Sequence, residues 1–210
     1  MDTLVISCMD PRLNEYLDEK YIRNKKYGKV EIWRNAGGRV TTDRKLIEYI
    51  LKNKAKRVIL APHTDCKAKL HIYEALEKGI KNTANDEIVD EAIGFLGGAE
   101  FRNREECDKL LDTKEQAYLK ERLERARIDV ELDVVDISKL SLPKHDGEGK
   151  LVISSIMDVE SKKLAEKAGV ELPSCYIIQG PNLKGLHADI ELALSLGIQK
   201  VSRVGEQNFE

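Results

Sequence analysis

Short aliphatic runs alternate with amphipathic stretches along the first sixty residues of the chain. The apolar runs are typical of strands that are buried on both faces of a parallel sheet. The stretches between them space apolar residues three and four positions apart, as Leu46, Ile47, Ile50 and Leu51 do, which predicts helices. The predicted strands are 3–8, 29–35 and 56–61, and the predicted helices are 11–22 and 41–53. This pattern predicts an α/β fold with a parallel central β-sheet and helices on both faces.

The remainder of the chain continues the alternation after a long charged stretch that has a helical pattern. Strands are predicted at 128–137, 150–155, 174–180 and 199–205, and the last three are separated by helices that end at glycines. The segment SLPKHDGEGK is rich in turn-forming residues. We therefore expect an α/β core at 1–140, a linker at 141–149 and a C-terminal βαβ segment at 150–210.

A short sequence repeat links the two ends of the chain. LVISC, which ends at Cys8, recurs as LVISS, which ends at Ser155, and Met-Asp and a predicted helix follow closely in both places. The second copy has no counterpart to His63 or Cys66. The C-terminal segment is therefore either a degenerate repeat that packs on the core without its chemistry, or an unrelated βαβ unit with similar local physics.

Composition and charge limit the classes of partner. The chain has 210 residues with 35 Lys and Arg against 37 Asp and Glu, and the formal net charge of −2 gives no broad footprint for nucleic acid or an anionic membrane. We expect a cytoplasmic protein, because the sequence shows neither a leader segment nor an apolar stretch of membrane-spanning length. In that reducing compartment its four cysteines are expected to serve metal binding, catalysis or burial rather than disulfides.

Three potential metal ligands follow predicted strands. Cys8 ends the first strand, and His63 and Cys66 come directly after the third. Neighbouring parallel strands present their carboxyl ends at one edge of the sheet, where sites form. A Cys2His set that leaves a fourth position open is the arrangement of catalytic zinc. Each residue alone has an ordinary structural explanation, since a cysteine that closes an apolar strand is most often a small buried hydrophobe.

Three motifs around these residues resemble the signature of the β-class carbonic anhydrases. The chain has Cys8-Met9-Asp10-Pro11-Arg12 after the first predicted strand, Arg34-Asn35-Ala36-Gly37 after the second and His63-Thr64-Asp65-Cys66 after the third. The family carries Cys-x-Asp-x-Arg, Arg-Asn-Ala-Gly and His-x-x-Cys in the same order. The resemblance covers about the first third of the chain and is weak beyond it.

The resemblance implies a zinc enzyme. Cys8, His63 and Cys66 would bind Zn²⁺, and a metal-bound hydroxide would attack CO₂ in a reversible hydration to bicarbonate. Asp10 and Arg12 would form the catalytic dyad, with the guanidinium holding the carboxylate beside the metal. Two thiolates nearly neutralise the metal and leave its bound water less acidic, so activity is expected to rise toward alkaline pH.

The loop after the second strand is the expected substrate rim. Asn35, Gly37 and Gly38 are expected to shape it, because glycines let the backbone approach a pocket closely. A helix that begins near Thr41 could favour an anion such as bicarbonate. An ordinary strand-to-helix turn is the alternative.

Several departures from the family pattern keep other functions open. Lys67 replaces a usual glycine, Pro11 replaces a usual small residue, and the helices that clasp a partner subunit before the first strand are missing. The expected partner is therefore a second copy, as a homodimer, or the chain's own segment 150–210, as an intramolecular pseudo-dimer. The alternatives to CO₂ hydration are a closed-site or non-catalytic zinc-binding relative, a hydrolase of CS₂ or COS, and an anion- or nucleotide-binding module without metal.

Overall fold

One mixed β-sheet organises the computed structural model, which describes residues 1–40, 44–78, 86–140, 149–181, 187–198 and 200–205. Its described strands are β1 (Thr3–Cys8), β2 (Val30–Asn35), β3 (Arg57–Ala61), β4 (Asp129–Leu132), β5 (Lys150–Ser154), β6 (Cys175–Gln179) and β7 (Lys200–Val204). They lie in the order β4-β3-β1-β2-β6-β5-β7. Every neighbouring pair is parallel except β2 and β6, which are antiparallel.

Helices cover both faces of this sheet, as the hydrophobic pattern predicts. The described α-helices are α1 (Asn14–Leu17), α2 (Arg44–Lys52), α3 (Lys67–Lys78), α4 (Asp86–Leu96), α5 (Arg104–Leu123), α6 (Ser161–Ala168) and α7 (His187–Ser195). Successive residues of β1 point to opposite faces, so Val5 joins a core with Leu17 and Ile72, and Ile6 joins a second core with Leu46. The predicted α/β class with a largely parallel central sheet is confirmed. Among the described residues, none of the helices combines the length and apolar character that a bilayer span requires.

The segment predicted as one helix over 11–22 changes its pitch twice. It begins as a 3₁₀ turn over Pro11–Leu13, continues as α1 and ends as a π-helix over Asp18–Ile22. The wide last turn is closed by a hydrogen bond from Arg23 N to Asp18 O, and the Asp18 carboxylate accepts from the backbone of Ser161 in α6. Contact with the C-terminal part of the chain therefore accompanies a distortion that helical periodicity does not reveal.

The strand predicted at 128–137 is shorter than its alternation suggests. Regular pairing with β3 ends at Leu132, and one further bridge joins Val135 to His63. Val135 donates to Pro62 O and accepts from Thr64 N, so the chain now pairs with the loop after β3 instead of with the strand. This pairing fixes the backbone on which a candidate metal ligand stands.

The C-terminal strands reproduce the arrangement of the first three. β1 pairs with β2 and β3, and β5 pairs with β6 and β7. Ser7 pairs with Arg34 in the first unit and Ser154 with Gln179 in the second, and Arg34 and Gln179 then pair with each other. Corresponding positions thus meet at the junction of β2 and β6, as a two-fold axis between the units would require. Most of the expected linker, residues 141–148, and the expected helix start near Thr41 lie outside the described residues.

Candidate metal centre

Cys8, His63 and Cys66 converge at the carboxyl edge of the sheet. Their ligand atoms all lie within 4.8 Å of one another, and the two Sγ atoms are 3.9 Å apart. All three residues are buried, at 3%, 2% and 1% exposure. Two sulfurs bound to one tetrahedral zinc at about 2.3 Å would be about 3.8 Å apart. The spacing of the thiols therefore suits a shared zinc ion without rearrangement.

The imidazole of His63 is oriented as a ligand. Its Nδ1 lies 2.8 Å from Thr64 O, and a hydrogen bond there places the proton on Nδ1 and leaves the Nε2 lone pair free. Nε2 is buried and has no hydrogen-bond partner among the described residues. An unpaired polar atom in such a position is costly unless something else binds it. Burial opposes protonation of His63, but the negative charge of Cys66 outweighs it and raises the pKa.

The two thiols have opposite electrostatic tendencies. Burial raises the pKa of Cys8 well above its ordinary value, and the neighbouring Cys66 adds to the rise. The hydrogen bond from Cys8 lowers the pKa of Cys66, with further help from the charge of His63. A divalent cation bound to both sulfurs would favour the thiolate form of each and release the proton that Cys8 holds. The donor set thus fits zinc in both spacing and charge.

Asp10 and Arg12 form a bidentate pair at the mouth of this cluster. Arg12 Nε donates to Oδ1 at 2.9 Å, and Nη2 donates to Oδ2 at 2.7 Å. The Asp10 carboxylate also caps the helical segment by accepting from Arg12 N. Burial raises the pKa of Asp10, but the hydrogen bonds of Arg12 and the charge of His63 outweigh it, and the pKa is lowered. Asp10 Oδ2 lies 3.9 Å from His63 Nε2, so an ionised carboxylate stands beside the ligand atoms.

A second arginine holds the backbone beneath the site. The side chain of Arg34 is fully buried and donates to Cys8 O at 3.0 Å and to Asp10 O at 3.1 Å. Its third group binds Asn14 Oδ1 at 2.6 Å. The sequence presents Arg34 as part of the Arg34-Asn35-Ala36-Gly37 motif and predicts no role for it. Its place in that motif is the only signal, because β2 carries Glu31 as well and a charged residue in this strand is not distinctive.

The expected rim residues lie behind Cys8. Asn35 clamps the loop by binding Arg39 N and Arg39 O, each at 2.8 Å. Gly37, with φ +87°, donates its N–H to Cys8 Sγ at 3.3 Å. Gly38 has φ +65°, and a Cβ there would lie 3.0 Å from the backbone N of Cys8, so the position requires glycine. A role for these residues as a substrate rim stays a prediction, because none of them is among the residues that line the cavity beside the site.

A cavity of about 340 Å³ opens beside the cluster, between the two strand units. The first unit contributes Cys8, Asp10, Arg12 and Cys66, together with Lys67. The opposite wall is largely apolar and comes from the C-terminal part of the chain, with Tyr176, Leu196 and Ile198. Burial, followed by the charge of Asp10, raises the pKa of Tyr176 to about 12, so its hydroxyl stays protonated at neutral pH. The sequence offers segment 150–210 as an intramolecular partner but identifies none of these wall residues.

The remaining cysteines lie in the hydrophobic core. Cys107 and Cys175 are 1% and 0% exposed, and all four cysteines of the chain are free thiols. Burial raises the pKa of Cys107 to about 11 and that of Cys175 to about 12. Both are therefore unreactive packing residues at neutral pH.

Comparison with known proteins finds a matching family model and several structures with a similar fold. A family model described as carbonic anhydrase matches residues 3–163. The β-carbonic anhydrase CafA of Aspergillus fumigatus superposes with a TM-score of 0.50 over 66% of this chain and 72% of its own, at 17% identity. A tetrameric β-carbonic anhydrase of Sordaria macrospora superposes with a TM-score of 0.48 over 65% and 76%, at 20% identity. No curated protein sequence matches the chain.

Proposed function

The chain belongs to the β-class carbonic anhydrases, a family of carbonate dehydratases, and from that premise we propose that it catalyses the zinc-dependent, reversible hydration of CO₂ to bicarbonate. The observation that carries the proposal is the buried Cys8–His63–Cys66 cluster beside the Asp10–Arg12 pair. This arrangement supports a metal centre with the Asp10–Arg12 ion pair on one side and a cavity beside it.

Three side chains would hold the zinc ion, namely Cys8, His63 and Cys66. When bound there, zinc supplies a Lewis acid that lowers the pKa of water at the open fourth position. The protein prepares the site by burying the ligands and by fixing the His63 tautomer through Thr64 O. Arg34 adds to this by holding the carbonyl of Cys8, so that the end of β1 keeps its direction.

Asp10 is the proposed acceptor for the reacting water. Its carboxylate, with a lowered pKa, accepts a hydrogen bond from that water and orients it toward the cavity. Arg12 would keep the carboxylate from turning toward a metal held by these ligands, since Asp10 Oδ2 lies 3.9 Å from His63 Nε2. If this restraint were released, Asp10 would fill the fourth position and the site would be closed.

The cavity suits a small, apolar, linear substrate. Tyr176, Leu196 and Ile198 present a largely apolar wall opposite the Asp10 carboxylate. CO₂ has no charge that would require pairing, so apolar contacts favour its binding. Lys67 and Arg12 lie at the same cavity and balance the charges of Asp10 and Asp65, so an uncharged substrate meets little net charge from these four side chains.

The C-terminal segment is the proposed structural substitute for a partner subunit. In this proposal residues 1–140 are the zinc-binding core, residues 141–149 are a linker, and residues 150–210 are a degenerate repeat of the core. The symmetric junction at Arg34 and Gln179 supports it, as does the wall that the segment supplies to the cavity. The expected outcome is a monomer in light scattering whose turnover per mole does not change on dilution. A loss of specific activity on dilution would contradict it. A cytoplasmic location stays a prediction.

The test of the proposed function is stopped-flow CO₂ hydration near pH 8.5 with protein of measured zinc content. Cys66→Ala removes one proposed ligand and should abolish both zinc binding and turnover. Cys107→Ala is the matched control, since it removes an equally buried thiol outside the cluster and should leave both unchanged. Full zinc occupancy without turnover would contradict CO₂ hydration, and the same samples are then assayed with CS₂ and COS.

A further inference from the structure

Asp189, in the first turn of α7, reaches across from the C-terminal unit to the loop behind Cys8. Its Oδ1 accepts from Ala36 N at 2.9 Å and from Arg39 Nη2 at 3.1 Å. The carboxylate side chain is 3% exposed, and Arg39 is buried as well. A buried carboxylate that binds a backbone N–H and a guanidinium at once restrains the loop strongly, because charge-assisted hydrogen bonds are stronger than neutral ones.

The restrained peptide is next to one that binds a proposed metal ligand. Gly37 N donates to Cys8 Sγ at 3.3 Å, and Gly37 follows directly after Ala36. Consecutive peptide planes share a Cα, so fixing the first limits the directions that the second N–H takes. Gly37 itself has φ +87° and no side chain to hold it, so the external anchor matters at this position.

We propose that Asp189 is a positioning residue for the metal centre. By anchoring Ala36 it aims the Gly37 N–H at Cys8 Sγ, so the C-terminal unit supports a ligand that the first unit supplies. The inference rests on the proposed function, because it takes Cys8 as a zinc ligand. A hydrogen bond to a thiolate lowers the energy of its lone pairs and thereby raises the energy of sulfur-to-metal charge transfer.

The experiment uses the cobalt-substituted full-length protein. Cobalt bound to thiolates absorbs through sulfur-to-metal charge transfer, and the band energy reports the hydrogen bonding of the sulfur. Asp189→Ala removes the anchor, and we expect the band to move to lower energy and zinc affinity to fall about tenfold in chelator competition, near the lower end of the range for residues that hold metal ligands. Asp189→Asn should keep the wild-type band, because both hydrogen bonds end on Oδ1 and asparagine retains that oxygen.

Asp18→Ala is the matched control. Asp18 is also a buried carboxylate that joins the two units, since it accepts from Ser161 N at 2.9 Å in α6, but it does not touch the loop behind Cys8. Its link to the site runs through Ser161 Oγ, which lies 3.4 Å from Arg34 Nη1, and Arg34 binds the carbonyl of Cys8 and not its sulfur. This variant should therefore lose thermal stability and keep the charge-transfer band. If Asp189→Ala does not fold, Asp189→Ser replaces it, because the serine hydroxyl is one bond shorter than the carboxylate and leaves the Ala36 N–H without its acceptor.

The outcomes separate this inference from the function on which it rests. An unshifted band in cobalt-bound Asp189→Ala or Asp189→Ser would overturn the positioning role and leave the metal centre intact. If the charge-transfer band shifts equally in Asp18→Ala and in Asp189→Ala, Asp189 is a general structural contact, and its positioning role is overturned as well. A wild-type protein without any thiolate–cobalt band would overturn the metal centre itself, and the inference with it.

Discussion

Replacement of Arg12 by lysine is the sharpest test of the proposed dyad. The guanidinium makes two parallel hydrogen bonds to the Asp10 carboxylate, from Nε at 2.9 Å and from Nη2 at 2.7 Å. Lysine keeps the positive charge but offers a single donor atom, so Arg12→Lys removes one charge-assisted bond and the planar fit without removing the charge. The guanidinium also donates to Asp65 Oδ2 at 3.3 Å and to Asp65 O at 3.2 Å, and the substitution weakens these contacts too while the positive charge stays.

The magnitude follows from the bond that is lost. A hydrogen bond to a charged group contributes roughly 1.5–3 kcal/mol. Since about 1.4 kcal/mol corresponds to a factor of ten, the equilibrium of the Asp10 side chain would shift toward unproductive orientations by about 10- to 100-fold. We expect kcat/KM for CO₂ hydration to fall by that factor, with zinc content unchanged because Arg12 binds none of the ligand side chains directly.

The assay is stopped-flow hydration with zinc-loaded wild type, Arg12→Lys and a control. The matched control is Arg102→Lys, because Arg102 makes the same two-bond contact to Glu106, from Nε at 3.3 Å and from Nη2 at 2.6 Å. The Arg102 side chain is 87% exposed, and among the described residues it makes no hydrogen bond or ion pair with the cluster. It should keep full activity. If Arg12→Lys retained kcat/KM within a factor of two of wild type, the bidentate restraint on Asp10 would not be part of the mechanism.

Three further predictions follow from the same structure. Burial raises the pKa of Glu115 to about 8 in the folded protein, so the folded state holds this proton more tightly and the free energy of unfolding declines as pH rises from about 4.5 to about 8. Glu115→Gln should remove that decline and add about 3 kcal/mol to the free energy of unfolding at pH 7, measured by urea denaturation. An equal decline in the variant would refute this. The rate of CO₂ hydration should rise toward alkaline pH, because two thiolate ligands leave the metal little net charge, and a flat profile would count against this. Tyr176→Ala opens the apolar wall and should lower kcat/KM without changing zinc content, whereas equal kcat/KM would remove Tyr176 from the substrate site.

The positions of the candidate-centre residues were predictable because each depends on short-range sequence, namely a strand end or the turn that follows it. Cys8 and His63 stand at the ends of strands whose aliphatic patterns are unambiguous, and parallel packing of β1 on β3 brings those ends together. Asp10 and Arg12 are two positions apart, and the same turn that starts the helical segment makes their contact. Short-range patterning and one rule of sheet topology therefore suffice to bring the three ligand candidates together, whereas the role of Asp10 and Arg12 as a dyad was expected only from the resemblance to the family.

The support around the centre was not predictable in the same way. Ala36 and Asp189 are 153 positions apart, and Asn14 binds Cys175 O from 161 positions away. Contacts of this range depend on how two strand units dock, which hydrophobic periodicity does not encode. The π-turn at Asp18 also accompanies a long-range contact, because its carboxylate accepts a hydrogen bond from Ser161 N in α6.

The docking itself explains how the C-terminal part can be needed although its described residues hold no cluster of potential metal ligands. Without β6, strand β2 would be an open sheet edge, and its buried Arg34 would be exposed at that edge. The antiparallel junction at Gln179 closes the edge, and the same docking brings the Tyr176 wall to the cavity and Asp189 to the loop behind Cys8. None of these contributions requires a thiol or an imidazole from the second unit. A repeat that lost its ligands while keeping its sheet pairing would therefore preserve everything that the first unit takes from it.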